Sequence, residues 1–224
     1  MPADPAVAVR VKKFKLTLIP TEEKAQPAAV VDGRHLHALF FNLLQSLDPR
    51  LAEEVHRARE KPFALWPDAT AGGVAQLIIS VFDPGLDRVL GRAEEGWEGR
   101  GRLERQEMRL SLAGIETLDL QEAWEKSSGE GGKKLKISFL SPTSFRRDGT
   151  QILFPEPGLL FKGVYSKMRL FGDEKLAANI CPPELFAENL QVSRYELATR
   201  EVNYGKYKVI GCMGYAVYDC RRLK

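Results

Sequence analysis

The tightest constraint in the sequence is a run of apolar residues at helical spacing. Leu36, Leu39, Phe40, Leu43, Leu44 and Leu47 recur at offsets 0, 3, 4, 7, 8 and 11. A stripe of that kind lines one side of a helix and needs an apolar surface to cover. The segment before it, AVRVKKFKLTLIP at residues 8–20, offers one. Val9, Val11, Phe14, Leu16 and Leu18 alternate against Arg10, Lys12, Lys15 and Thr17, with one slip at Lys13. This predicts a half-buried strand ended by Pro20. Asp48-Pro49 then restarts a second helix, with Asp48 as N-cap and Pro49 in the first helical position. Leu51, Ala52 and Val55 form its buried stripe, and it ends near Arg59, before Lys61-Pro62.

Short strands are expected near 62–66 and 74–82, separated by Ala71-Gly72-Gly73. Pro84 opens a helix through about Arg92, the Gly-rich charged run at 96–102 reads as a loop, and a strand near 107–113 closes the unit. Strand, helix, strand, strand, helix, strand is the ferredoxin-like order. Residues 121–134, QEAWEKSSGEGGKK, read as a polar linker or long hairpin tip. The order then starts again. A strand at 135–145 is followed by a helix carrying Leu159, Leu160, Val164, Met168 and Phe171 and ended by Gly172. Two alternating strands follow near 190–202 and 206–219, turned at Asn203–Gly205. The fold class is therefore α+β: tandem ferredoxin-like (RRM-like) domains at 1–120 and 135–224, the second incomplete at its C-terminus.

Residues 1–132 carry 17 Lys and Arg against 21 Asp and Glu, whereas residues 133–224 carry 16 against 9. The basic second half suits an anionic partner. No apolar run approaches the roughly 18 residues of a transmembrane helix, and the first residues lack the basic-then-apolar order of a secretory signal. Of three cysteines, Cys212 and Cys220 would lie roughly 26 Å apart in one extended strand, too far to bridge. A reduced, cytoplasmic protein is the expectation. His35-Leu36-His37 is a poor metal pair, because alternate helical positions diverge by roughly 200°. No other His, Cys or carboxylate cluster has zinc-like spacing, so neither a metal nor a cofactor is expected. Phosphate-binding, dinucleotide and nucleophile-elbow motifs are absent from the sequence.

Three stretches together resemble one family. They are HLHALFFNLLQSLDPRLAEEVHRAREKPFAL at 35–65, ISFLSPTSFRRDGTQILFPEPGLLFKGVYSKMRLFG at 137–172, and KVIGCMGYAVYDC at 208–220. They are similar to the CRISPR-associated repeat-processing endoribonucleases, the Cas six family of the RAMP superfamily. The resemblance implies a metal-independent nuclease that binds a repeat hairpin of the CRISPR precursor RNA and cuts at its base. A ribose 2′-hydroxyl attacks the adjacent phosphate, leaving a 2′,3′-cyclic phosphate and a 5′-hydroxyl. An interference complex would take the product, no membrane is involved, and a homodimer is left open. Family members usually continue through a helix and a glycine-rich RNA-touching loop, whereas this sequence stops at Arg221-Arg222-Leu223-Lys224. The alternative is a non-catalytic RNA-binding or scaffold subunit of a CRISPR ribonucleoprotein.

The resemblance also places the chemistry. His56, in Glu-Glu-Val-His-Arg before Lys61-Pro62-Phe63, matches the family's general acid or base. The residues agree: Val55 takes the buried position, so His56 lies about 100° off the core stripe. In the last turn of its helix the macrodipole favours an imidazolium, and an imidazole near neutrality can take or give a proton at pH 7. Lys61 matches, across a one-residue gap, a lysine that stabilises the phosphorane. Phe41 stands where some members carry a tyrosine as the other proton partner. His37, four residues earlier on the same flank, is the substitute. Arg146 and Arg147 in SFRRDG are RNA-phosphate candidates on a tight turn, with Lys162, Lys167 and Arg169 on the following helix. Gly211 and Gly214 interrupt the last strand and predict a bulge or a close backbone approach. Tyr215 and Tyr218 are candidates for stacking on bases or for packing in the core.

Overall fold

The apolar stripes and alternations close around two separate cores. The computed structural model describes residues 10–21, 33–69, 75–92, 97–103, 106–127, 132–171, 181–203 and 208–222. Contacts divide the chain into two units, Met1–Ala123 and Trp124–Lys224. Val9, the Ala71-Gly72-Gly73 segment, Gly172 and Tyr204-Gly205 lie outside the described residues.

In the first unit, β1 (Arg10–Pro20) lies in the middle of a five-stranded antiparallel sheet. Around it are β2 (Phe63–Ala69), β3 (Ala75–Val81), β4 (Glu98–Leu103) and β5 (Gln106–Asp119), in the order β2-β3-β1-β5-β4. Register puts Leu16 opposite Leu77 on one side and Leu112 on the other. The expected slip near Lys13 is visible in the burial of β1, where Val11, Phe14, Leu16 and Leu18 face inward. The ladder shift itself falls between Lys15 and Leu16. Helix α1 (Gly33–Leu47) lays Leu36, Leu39, Phe40, Leu43 and Leu44 into this core. Each fully buried Leu or Phe contributes about 1.5–3 kcal/mol. Helix α2 (Pro49–Arg57) adds Ala52 and Val55, and α3 (Pro84–Leu90) adds Leu86, Val89 and Leu90.

Two segments between residues 96 and 134 depart from the sequence expectation. The Gly-rich run expected as a loop at 96–102 instead carries, in its described residues, strand β4, paired with β5 from Glu98–Ser111 to Leu103–Gln106. Its glycines admit neighbours: a Cβ on Gly101 would stand 2.3 Å from a Leu39 methyl, and one on Gly99 would stand 2.4 Å from the Trp97 ring. Close approach, not turn formation, explains them. The expected polar linker at 121–134 opens with a helix, α4 (Leu120–Ser127), whose start the Asp119 side chain caps at Glu122 N.

The second unit has a three-stranded antiparallel sheet, β6 (Lys134–Thr143), β9 (Gln191–Asn203) and β10 (Lys208–Asp219), in the order β6-β10-β9. These are three of the four strand positions of a ferredoxin-like sheet, so the two units are tandem ferredoxin-like domains. Between β6 and β9 come a small hairpin of β7 (Phe145–Arg147) and β8 (Thr150–Ile152), then α5 (Pro157–Phe171), then α6 (Pro183–Asn189). The hairpin and α6 are additions to the sequence reading. Phe139, Cys212, Ala216 and Tyr218 make the core with Leu190, and Leu160, Phe161 and Phe186 from α5 and α6 pack on it. Tyr218 is a core residue: its ring is 0% exposed and its hydroxyl donates to the Pro155 carbonyl at 2.8 Å. Burial pushes its phenol up to about 12.

Both glycines of β10 do what their spacing predicts. The β6–β10 register shifts between Cys212 and Gly214. Gly214 has φ +121°, and a Cβ there would lie 2.0 Å from the Glu196 carbonyl oxygen. A Cβ on Gly211 would lie 2.5 Å from the Pro142 backbone. Among the described residues, no helix is long and apolar enough to cross a membrane.

Candidate active site

The junction of α1 and α2 builds the site. Asp48 ends one helix and caps the next: its backbone N–H donates to the Leu44 carbonyl at 2.8 Å, and its carboxylate accepts from Leu51 N at 3.0 Å and Arg50 N at 3.1 Å. With Pro49 preset for the first turn, the chain changes direction without a loop. Val55 and Ala52 then anchor α2 to the core, leaving His56 exposed in its last turn.

Phe41 connects the two histidines. The His37 ring lies 4.6 Å from the Phe41 ring, one turn away on α1. The His56 ring meets Phe41 edge-on at 5.2 Å. Phe63, from the start of β2, closes the cluster at 5.9 Å from Phe41 and 6.1 Å from His37. The two imidazoles therefore flank one apolar ring. His37 is half-buried, and its proton affinity is held below the ordinary histidine value, first by burial, then by the charges of Lys61 and His56. It favours the neutral imidazole.

Lys61 reaches back under α2. Its ammonium donates to the carbonyls of His56 at 2.7 Å, Ala58 at 2.8 Å and Val55 at 3.1 Å. An ammonium has three N–H donors, and these three acceptors are carbonyls at the end of a helix, where a cation is favoured. The structure thus brings His37, His56 and Lys61 together and shows Lys61 gripping the turn that carries His56.

The five basic candidates of the second unit are dispersed. Arg146 and Arg147 sit on β7, opposite Gln151 and Thr150 of β8. The tip, Asp148-Gly149, has positive φ at both residues, as a tight two-residue hairpin turn requires. Alternation along a strand sends adjacent side chains to opposite faces. Arg147 forms a forked pair with Glu156, at 2.7 and 3.2 Å, while Arg146 is exposed on the other side. On α5, Lys162 and Arg169 are exposed and share a face with Tyr165, the Arg169 guanidinium lying 5.9 Å from the Tyr165 ring. Lys167 lies on a different flank and is half-buried.

Sequence reasoning missed two partners. The lysine cap depends on how the chain returns after α2, which no periodicity encodes. The Arg147–Glu156 pair spans the hairpin. Its one signal was the sign of Glu156 just ahead of α5, where a carboxylate suits a helix start.

Comparison with known proteins follows the same division. Residues 13–76 match the CRISPR Cas6 N-terminal domain, and residues 137–224 match CRISPR-associated endoribonuclease Cas6. A CRISPR-associated endoribonuclease Cas6 of Mycobacterium tuberculosis is 22% identical over 89% of this chain. The chain spans 63% of that relative's length. A solved Cas6 product complex superposes with a TM-score of 0.71 at 23% identity, over 96% of this chain and 85% of that one. Another Cas6 product complex gives 0.66 at 26% identity, over 97% and 87%. A Thermus thermophilus Cas6 gives 0.63 at 25% identity, over 97% and 86%. Both units are matched in the expected order, the fold agrees along nearly the whole chain, and the matched segments together take in more than half of it. The chain belongs to the Cas6 family of CRISPR-associated endoribonucleases.

Proposed function

We propose that this chain cuts CRISPR precursor RNA within the repeat, by attack of a ribose 2′-hydroxyl on the adjacent phosphate. One observation carries the reading: two imidazoles flank Phe41 beside a lysine ammonium. The reaction asks for a base at the 2′-hydroxyl, an acid at the leaving 5′-oxygen, and positive charge near the phosphate. His37, held neutral, takes the 2′-hydroxyl proton as the new P–O bond forms. His56, exposed at the helix end, gives a proton to the departing 5′-oxygen as the old bond breaks. The products are a 2′,3′-cyclic phosphate and a 5′-hydroxyl. The chain's own side chains supply every proton transfer, so the cut proceeds without a metal.

Lys61 serves as a positioning residue. Tied to three carbonyls, it fixes the last turn of α2 and so the direction of His56, while its charge bears on the site at short range. Phe41 has no ionisable proton, and the proton role of a tyrosine there passes to His37. Arg146, Lys162 and Arg169, with Lys167 on the next flank, bind phosphates of the repeat hairpin, and Arg147 joins them by exchanging Glu156. Product then passes to an interference complex.

The test is a labelled repeat hairpin incubated with the protein in EDTA. Site-specific cleavage is expected, ending in a cyclic phosphate. His56→Ala should slow it by about 10²–10⁴-fold with RNA affinity within about twofold of the parent protein's. Binding without any cut by the parent protein would overturn the nuclease reading and leave an RNA-holding subunit.

A further inference from the structure

The open face of the second sheet carries an aromatic ring between two cations. Alternation in β10 sends Cys212, Ala216 and Tyr218 to the core and Met213, Tyr215 and Val217 to the opposite face, away from α5 and α6. Of the two tyrosines singled out by sequence, Tyr218 is therefore structural and Tyr215 is not. Lys136, from β6, holds its ammonium 4.2 Å from the centre of the Tyr215 ring. Arg194, from β9, brings its guanidinium to 5.9 Å. Ser138 and Glu196 are the cross-strand neighbours of Tyr215 on either side. Lys136, Ser138, Arg194 and Glu196 are exposed and Tyr215 is half-buried. Arg200 shares the face further along β9, so among the described residues cations outnumber the Glu196 carboxylate beside the ring.

We propose that Tyr215, Lys136 and Arg194 form a stacking site for one unpaired nucleotide of RNA. The base lies on the tyrosine ring, and the two cations take the phosphates on either side of it. A flat π surface accepts any base, and cations at its rim fit the flanking backbone. Without RNA the ammonium rests on the ring as a cation–π contact. With RNA it exchanges the ring for a phosphate, a stronger, charge-assisted partner. The site would hold a single-stranded flank of the repeat, leaving the hairpin to other residues. This inference rests on the RNA-processing reading above.

The test uses the full chain and two labelled RNAs, a repeat hairpin alone and the same hairpin with a single-stranded extension, followed by fluorescence anisotropy across a salt series. Tyr215→Leu should weaken the extended RNA by about tenfold and leave its salt slope unchanged, with affinity for the bare hairpin intact. Tyr215→Phe should restore the loss. Arg194→Gln should lower the salt slope by about one phosphate contact. Circular dichroism of each variant shows that the fold is kept, and Lys136→Gln serves as a second probe outside the core. Equal affinity of Tyr215→Leu and the parent protein for the extended RNA, with hairpin cleavage still dependent on His56, overturns this inference alone. Absence of both binding and cleavage in the parent protein overturns the RNA-processing reading and this site with it.

Discussion

Lys61 is the residue through which the site can be tested most finely. It contributes hydrogen bonds to the helix end and a charge to His37. If neutral His37 takes the 2′-hydroxyl proton, cleavage rises with pH through a His37 value lying below that of an ordinary histidine. Lys61→Met withdraws one of the depressing charges, so the acidic limb of the single-turnover pH profile should move to higher pH. Lys61→Arg should restore it. The same shift carries a stability sign. The unfolded chain binds the His37 proton more tightly than the folded one. This contribution is therefore present above the ordinary histidine value and is lost as pH falls through the lowered folded value. At this scale much was legible in the sequence. The buried place of Val55 put His56 on an exposed flank, and four-residue spacing put His37 beside Phe41. Lys61's cap and Arg147's tie to Glu156 were not legible, because each depends on how the backbone turns between the partners.

Among the elements, β10 depends on one position. Gly214 occupies a backbone region that L side chains rarely adopt and abuts the Glu196 carbonyl, which as backbone cannot move aside. Gly214→Ala should cost about 1–3 kcal/mol, read as a lower midpoint in urea. Gly163→Ala is the contrast. It lies in α5, and a Cβ there meets nothing within 4 Å, so stability should rise by about 0.4–1 kcal/mol, read as a higher midpoint in urea. Long periodic elements were readable: β1, α1, α2, α5, β9 and β10 follow their apolar patterns. β4 was hidden because its glycines, which admit Leu39 and Trp97, look like loop residues. α4 was hidden because its composition is polar. The strands of the β7–β8 hairpin span three residues each, too short for alternation to show.

The whole molecule is built on unequal cores. Among the described residues, twenty buried side chains form the first core and five the second. Helix α5 buries no side chain fully, and Val164, Leu170 and Ile210 of the second unit stay exposed. Buried apolar area is the main stabilising term, so calorimetry should show the second unit unfolding at the lower temperature. Repeat RNA at about a hundred times its Kd should stabilise that unit by about 2.7 kcal/mol, raising its transition more than that of the first. The half richest in cations is thus also the half with least oil inside it. Purified bare of nucleic acid, the protein should be nicked first by proteases beyond Trp124, and its cargo would then act as part of its own scaffolding.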